Sequence, residues 1–519
     1  MEIPSMILKK LYATGSLSNV KDGVHFCLTN PLGDATLTGI SKVEINGNEM
    51  PLDKVIATVE GQPVKASEVD TNNPIRFLLG QTVDIHVQAD ALEEDKEHCL
   101  SFAFQTEPFG PLNFEVQDTI TKQDTITEKD GAETSIPHDR AHNYETEIIQ
   151  KRQAFIEAYS GVTLEHIDKY SFDPKLTQGN IENFTGVAQV PIGFAGPLKI
   201  NGEHADGEFL IPLATTEGTL VASYNRGIKM INLCGGITTT ILDDVMQRAP
   251  GFIFDSAREA RAFARWIDEN IEDIRKQAEA TSNIAKLIDI QKFLTSKLVY
   301  LRFNYTTGDA AGQNMVTAAT FAACNWILDH FKGIRRHYMD GNMTTDKKTS
   351  VINTLHTRGK RVTAEVILKR DLLIEQLRVD PETCEYYMQV SSLGTFMAGG
   401  SSNGVQNANA LAALFIATGQ DVANVVESST GMVHMETTSE GDLYASLTLP
   451  SLIVGTYGGG TGLPTQRECL EILGCYGEGK ALKFAEIVTA VAAAGEISLG
   501  AAVSSLEWVS AHEKLGRNR

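Results

Sequence analysis

The stretch LVYLRFNYTTGDAAGQNM, residues 298–315, sets a short apolar run, a glycine-bearing turn and the start of a helical pattern one after another. Leu298 to Phe303 suits a buried strand, and the helical pattern runs from about 315 to 332. A strand that hands over to a helix gives a mixed α and β texture, and the helix N-terminus offers unpaired N–H groups to an anion. A second glycine-rich segment, GTYGGGTGL (455–463), lets a ligand approach the backbone closely. Neither segment matches GxGxxG or the P-loop, so a standard dinucleotide fold gains no support. Each alone reads equally well as a tight turn.

Upstream, residues 256–280 place Ala260, Phe263, Ala264, Ile267, Ile271 and Ile274 at helical spacing with charges opposite, which predicts one long amphipathic helix. Downstream, 403–418 and 482–512 read as buried helices whose small residues permit close packing. Residues 1–125 have a different texture. Val43-Glu44-Ile45 leads into an Asn46-Gly47 turn and Val83 to Val87 alternates with period two, so an all-β domain, a small sandwich or barrel, is expected. The polar stretch TKQDTITEKDGAETS (121–135) reads as a linker.

The 519 residues carry 45 Lys+Arg against 66 Asp+Glu, a net charge of -21 that argues against nucleic acid or an anionic membrane as partner. Residues 1–130 hold 10 basic and 21 acidic residues, whereas 331–370 hold 10 Lys/Arg against Asp340, Asp346 and Glu365. One basic island in an acidic chain fits an enzyme that holds a phosphorylated small molecule. The seven cysteines are scattered and contain no CxxC pair, so they read as free thiols and not as a disulfide framework or a zinc site. The N-terminus fails as a signal peptide, and Glu496 interrupts the most apolar stretch, 487–506, so no membrane partner and a cytoplasmic location are expected.

Seven motifs then stand in order: ENFTGVAQVPIGFAGPL (182–198), ATTEGTLVASYNRG (214–227), GDAAGQNM (308–315), GNMTTDKK (341–348), IATGQD (416–421), LPSLIVGTYGGGTGLPTQ (449–466) and AHEKLGR (511–517). Over roughly residues 140–519 this chain closely resembles 3-hydroxy-3-methylglutaryl-coenzyme A reductase, and its Asp-Lys-Lys segment looks like the class I branch. The resemblance implies an α/β (α+β) architecture. A linker (126–139) and a helical segment (140–181) precede a large substrate domain around a central helix (182–249 and 339–519), with an inserted ferredoxin-like cofactor domain (250–338). It also implies a homodimer or larger assembly with the active site between subunits.

The implied reaction is a four-electron reduction of the thioester to mevalonate and coenzyme A with NADPH, NADH remaining possible. Its chemistry makes demands on residue types. The carbonyl oxygen gathers negative charge, so a cation must stand beside it, and Lys347 matches the family's lysine. The departing thiolate needs a proton near neutral pH, which His512 can supply. A carboxyl group with a raised pKa serves the aldehyde step at Glu217, and Asp421 matches a buried aspartate bonded to both lysine and glutamate. Without the motifs, Glu217 would read as a first-turn acid of a helix capped by Thr215 or Thr216, Asp421 as another cap, Lys347 as a solvated charge and His512 as one of twelve histidines. Arg248, Asp346, Lys348 and Asn409 match contacts to the acyl group. Ser223, Asn225, Arg226 and Arg517 match contacts to coenzyme A. Ser282, Asn283, Asp309, Gly312, Asn314 and Gly458 to Gly460 match contacts to the nicotinamide cofactor.

Three positions depart from the family pattern. Asn283 stands where class I enzymes usually carry an arginine that pairs with the 2′-phosphate of NADPH, so preference for NADPH is expected to weaken unless Lys286, one helical turn on, takes over. Asp340 stands where a serine is usual, and its carboxylate repels an acidic substrate unless a cation neutralises it. Gln406 replaces a usual histidine. The N-terminal domain weakly resembles small β-sandwich domains that accompany some bacterial enzymes. The alternatives left open are catabolic oxidation of mevalonate with NAD and a non-catalytic paralogue acting in assembly.

Overall fold

The computed structural model describes residues 8–30, 34–59, 62–78, 80–120, 135–139 and 142–505. Most of the linker stretch, together with His512 and Arg517, lies outside them. The chain forms two compact units, one built on residues 1–132 with 325–332, the other on the remainder.

The N-terminal unit is a two-sheet all-β fold. One sheet has the order Ser18–Val20, Gly23–Thr29, Thr82–Val87, Val55–Val59, Gln62–Lys65. The other runs Gly110–Thr119, Glu97–Glu107, Ala35–Ile45, with Asn48–Glu49 and Ile75–Phe77 paired to the last. The Asn46-Gly47 turn forms as its residue types require, both with positive φ (52° and 80°). Phe26, Phe102, Phe104 and Phe114 interlock in the core with centroids 5.1–6.0 Å apart, each ring contributing about 1.5–3 kcal/mol by burial.

The second unit is organised by the helix Ala481–Ser504. It is long and apolar enough to cross a membrane by composition, yet most of it is buried inside the protein. Its small residues allow a close crossing: a Cβ on Gly495 would strike the Tyr224 ring, and one on Gly227 would strike the carbonyl of Ala494. Its two buried carboxylates serve neighbouring backbone. Glu486 accepts N–H bonds from Glu203, His204 and Ala205, while Glu496 accepts those of Val405 (2.8 Å) and Gln406 (2.6 Å), just before helix Asn407–Thr418. The charge that interrupts the apolar pattern is thus a capping group for another helix.

One continuous ten-stranded sheet serves two domains. In the large domain the order is Asp206–Ala214, Ile192–Gly202, Ile237–Arg248, Gly359–Leu368, Leu443–Leu452, Met432–Thr437. Ile237–Arg248 continues past that sheet and pairs Met246, Gln247 and Arg248 with Tyr305, Asn304 and Phe303 of Leu298–Thr306. The inserted domain has the antiparallel order Arg336–Tyr338, Gly251–Ile253, Leu298–Thr306, Lys286–Thr295, the ferredoxin-like arrangement expected.

Two local readings change. The long helix expected over 256–280 is two helices, Ala257–Glu269 and Ile271–Glu279, because Asn270 leaves helical geometry (φ -117°, ψ 16°) and returns its side-chain N–H to the carbonyl of Trp266. The segment 140–181, expected to be helical, holds one helix, Thr146–Ser160, and a turn at Pro174–Thr177.

Candidate active site

Lys347 and Asp421 meet at 2.9 Å, with each side chain a little under half exposed. The hydrogen bond to Asp421 raises the lysine pKa, so the ammonium is held in its charged form. Lys347 sits on a turn in which Asn342, Thr345 and Lys347 all have left-handed backbone (φ 59°, 53° and 56°), each costing about 1–2 kcal/mol. Buried groups hold that turn. Asn353 donates to Thr344 O and Thr345 Oγ1, and Glu427 Oε1 accepts the Lys347 N–H at 3.0 Å.

Behind the turn lies a polar network that the motifs did not single out. Arg358, fully buried, donates to Asp346 at 2.6 Å and stands 3.7 Å from Glu427, which is itself fully buried. Burial raises the Glu427 pKa, opposed by the N–H of Lys347 and the Arg358 charge. Asn424 donates to Glu427, and Gln313 reaches both Asp346 (3.3 Å) and Asn424 (3.1 Å). Neither residue stands out in the sequence, Arg358 lying in TRGK and Glu427 in VVESS.

The glycine segments converge here. Gly419, left-handed at φ 71°, ends helix Asn407–Thr418 and packs so closely on Gly460 that a Cβ on either would collide with the other's carbonyl. Thr456 N–H bonds to Asp309 O, and Gln420 accepts from Gly455 N. A Cβ on Gly312 would strike Thr307, whereas Gly458 and Gly459 have open space above them. Gly308 lies beside Ile284, next in sequence to the Ser282-Asn283 loop.

Several candidates stand differently from expectation. Asp421 is exposed, not buried, because it begins the short turn Val422–Asn424 just past the helix end, where its carboxylate accepts the Ala423 N–H. Among the described residues, Asn409 and not the Lys347–Asp421 pair meets Glu217, with Asn409 Nδ2 donating at 3.2 Å. Glu217 also precedes its helix, which begins at Leu220, so it is not a first-turn acid. Asp309 is spent on structure. Burial pushes its pKa up, but the N–H groups of Gly479, Lys480 and Ala481 outweigh this and hold it low, at the start of the central helix. Lys286 opens a strand instead of continuing a helix, and it pairs with Glu279 at 3.3 Å; Asn283 is exposed.

Asp340 has its neutralising cation: Arg248 Nη1 lies 3.1 Å from it, and Thr317 holds the rest of that guanidinium. Lys348 donates to the Asp346 carbonyl. Gln406 exchanges side-chain contacts with Ser223, Ser223 also meets Ser498, Asn225 accepts the Gly196 N–H, and Arg226 binds Ser498 through Nε and Nη2. Asn314 is exposed in the first turn of Gln313–His330, and Ser282 accepts the N–H groups of Ile284 and Ala285. The basic island is no open cationic patch, for Arg335, Lys347, Arg358, Lys360, Lys369 and Arg370 each face an acid.

A cation fixed by a carboxylate beside bare glycine backbone can stabilise charge developing on a carbonyl oxygen, which defines an enzyme and not a binding module. Residues 148–517 match the family described as hydroxymethylglutaryl-coenzyme A reductase, and 7–121 match hydroxymethylglutaryl-CoA reductase, N-terminal domain. The chain is 46% identical over 374 residues to 3-hydroxy-3-methylglutaryl-coenzyme A reductase of Pyrococcus abyssi, covering 70% of this chain and 92% of that protein. It is 46% identical over 376 residues, with the same coverage, to the enzyme of that name in Methanocaldococcus jannaschii. The class II 3-hydroxy-3-methylglutaryl-CoA reductase from Streptococcus pneumoniae, solved bound to NADPH, shares the fold at TM-score 0.53 and 18% identity, over 68% of this chain and 96% of that one. The chain belongs to the hydroxymethylglutaryl-coenzyme A reductase family. Its β-rich N-terminal unit is a domain that accompanies this family, which replaces the weak likeness to other sandwich domains.

Proposed function

We infer that this chain reduces 3-hydroxy-3-methylglutaryl-CoA to mevalonate and free coenzyme A, in the mevalonate route to isoprenoids, with NADPH as reductant. Membership of the family supports the reaction, and the Lys347–Asp421 pair is the observation in the structure that carries it. Two molecules of NADPH, bound in turn, would supply one hydride to the thioester carbonyl and one to the aldehyde. Lys347 stands as the cation for the oxygen in both steps, kept protonated by Asp421. Glu217, oriented by Asn409, is assigned to proton transfer at the aldehyde, and His512 to protonation of the departing thiolate.

Arg248, Lys348 and Asp346 are assigned to the acyl carboxylate, and Ser223, Asn225, Arg226 and Arg517 to coenzyme A. The open backbone at Gly458 and Gly459 has room for a ligand, and with Gly312, Asn314, Ser282 and Asn283 it is assigned to the nicotinamide cofactor. In this reading 182–249 with 339–519 holds the thioester and 250–338 holds the cofactor. The half-exposed catalytic pair, a cavity of about 820 Å³ reached by Ile181, Val190 and Ile192, and the bare apolar residues Leu393, Phe396 and Met397 all support a homodimer that closes the site with a second copy. Free cysteines throughout support a cytoplasmic location. Exposed Asn283, with Lys286 committed to Glu279, favours a second reading in which NAD-linked oxidation of mevalonate is also efficient.

The test follows nicotinamide absorbance with purified protein, the thioester and each cofactor in turn, and then mevalonate, coenzyme A and NAD. Turnover abolished in Lys347→Ala supports the assignment. Turnover that survives in that variant, or none with either cofactor, overturns it.

A further inference from the structure

The N-terminal sheet carries a constellation that linear spacing conceals. His25 and Cys27 lie two apart on strand Gly23–Thr29 and so share a face, and the antiparallel register sets His86 opposite His25 and Asp84 opposite Cys27 on Thr82–Val87. The other face of the same two strands is the domain core: Val24, Phe26, Leu28, Val83, Ile85 and Val87 are at most 4% exposed. The four side chains therefore project outward from a backbone that the core holds rigid.

Asp84 Oδ1 lies 3.2 Å from Cys27 Sγ and 3.4 Å from His25 Nε2, and the three ligand atoms all fall within 4.8 Å of one another. Bonds of about 2.0–2.3 Å to a tetrahedral zinc ion set neighbouring ligand atoms roughly 3.3–3.8 Å apart. The histidine–carboxylate separation falls within that range and the thiol–carboxylate one just below it.

We propose that His25, Cys27 and Asp84, completed by His86, form a site on the N-terminal domain for a borderline-soft divalent ion such as Zn²⁺. Imidazole, thiolate and carboxylate together suit zinc over magnesium or calcium. Binding replaces the thiol hydrogen by a sulfur–metal bond and releases one proton to solvent, with no change of oxidation state. The ion would clip two neighbouring strands of a domain to which the proposed reaction assigns no residue, so the site stands independently of the catalytic reading.

The experiment uses the full chain, reduced, stripped with chelator and titrated with Co²⁺ alone, with Zn²⁺ as competitor. The expected result is one Co²⁺ per chain, with a thiolate-to-cobalt charge-transfer band and the visible spectrum of a tetrahedral site, displaced by Zn²⁺. Cys27→Ser should abolish the band, and Asp84→Asn and His86→Ala should each weaken binding by at least about tenfold. Cys99→Ser should keep it. Undiminished thioester turnover in Cys27→Ser shows that the variant is folded. No thiolate band at one equivalent, or a band that persists in Cys27→Ser, overturns the site and leaves a thiol–carboxylate hydrogen bond.

Discussion

Glu427 accepts the backbone N–H of Lys347 at 3.0 Å, so a fully buried carboxylate fixes the left-handed residue whose side chain reaches Asp421. Glu427 acts through position and not through contact with the reacting atoms. Glu427→Ala should lower kcat by about a hundredfold while KM for the thioester moves little, since a small displacement of the ammonium is costly at that distance. Glu427→Gln, which can still accept that N–H, should recover part of the loss. Steady-state kinetics of both variants decides; an equal loss in both would point to a general packing defect.

Asp421 raises the pKa of Lys347, and in the proposed mechanism the protonated lysine is the active form. Removing the charge in Asp421→Asn lets that pKa fall, so activity should be lost at lower pH on the alkaline limb of the kcat/KM profile. An alkaline limb that stays in place in the variant would separate Asp421 from the lysine's titration.

Asn283 is exposed and carries no charge, and Lys286 is tied to Glu279. Asn283→Arg should raise the ratio of kcat/KM for NADPH over NADH by about tenfold or more, the worth of a charge-assisted contact. Lys286→Ala should leave the ratio nearly unchanged. A strong NADPH preference in the parent chain that Lys286→Ala removes would contradict this.

Arg248 is held by Asp340 on one side and Thr317 on the other. Asp340→Ser frees one face of a guanidinium that Thr317 keeps in place, so KM for the thioester should fall. An unchanged KM would mean that Arg248 does not meet the acyl carboxylate.

Burial raises the pKa of Glu496 from the ordinary 4.5 to about 7 against the pull of its backbone N–H partners. Between these values the folded state binds more protons than the unfolded, so this residue's contribution to stability is full below about 4.5 and declines as pH rises to about 7. Glu496→Gln should cost about 1–3 kcal/mol by leaving one buried N–H poorly met, and should flatten this part of the stability profile. Denaturant titrations from pH 4.5 to 7.5 measure both effects.

The resemblance carried by the ordered motifs implied the Lys347–Asp421 pairing, which the structure brings to 2.9 Å. Period-two alternation likewise exposed the strands of the N-terminal sheets. What stayed hidden depends on distant pairing. Arg358 and Glu427 look like ordinary surface charges until the fold buries them against Asp346 and Lys347. Asn270 looked like one polar residue on a helix, yet its side chain competed for the backbone and split it. The basic island dissolved for the same reason, its acids coming from positions as remote as Asp244, Asp255 and Asp442. His25 and Asp84 became neighbours only through strand register.

Strand Ile237–Arg248 belongs to both domains, meeting Val362 through Ile241 and Tyr305 through Met246. During synthesis its inserted-domain partner emerges well before Gly359–Leu368, its second large-domain neighbour after Ile192–Gly202, so the strand's C-terminal end can be paired while one edge of the rest is still open. A nascent chain of this kind exposes apolar strand surface until Gly359–Leu368 arrives. Substitutions that loosen Met246–Arg248 from Leu298–Thr306 would therefore first reduce the yield of soluble protein made in cells, before any change in the turnover of the molecules that do fold.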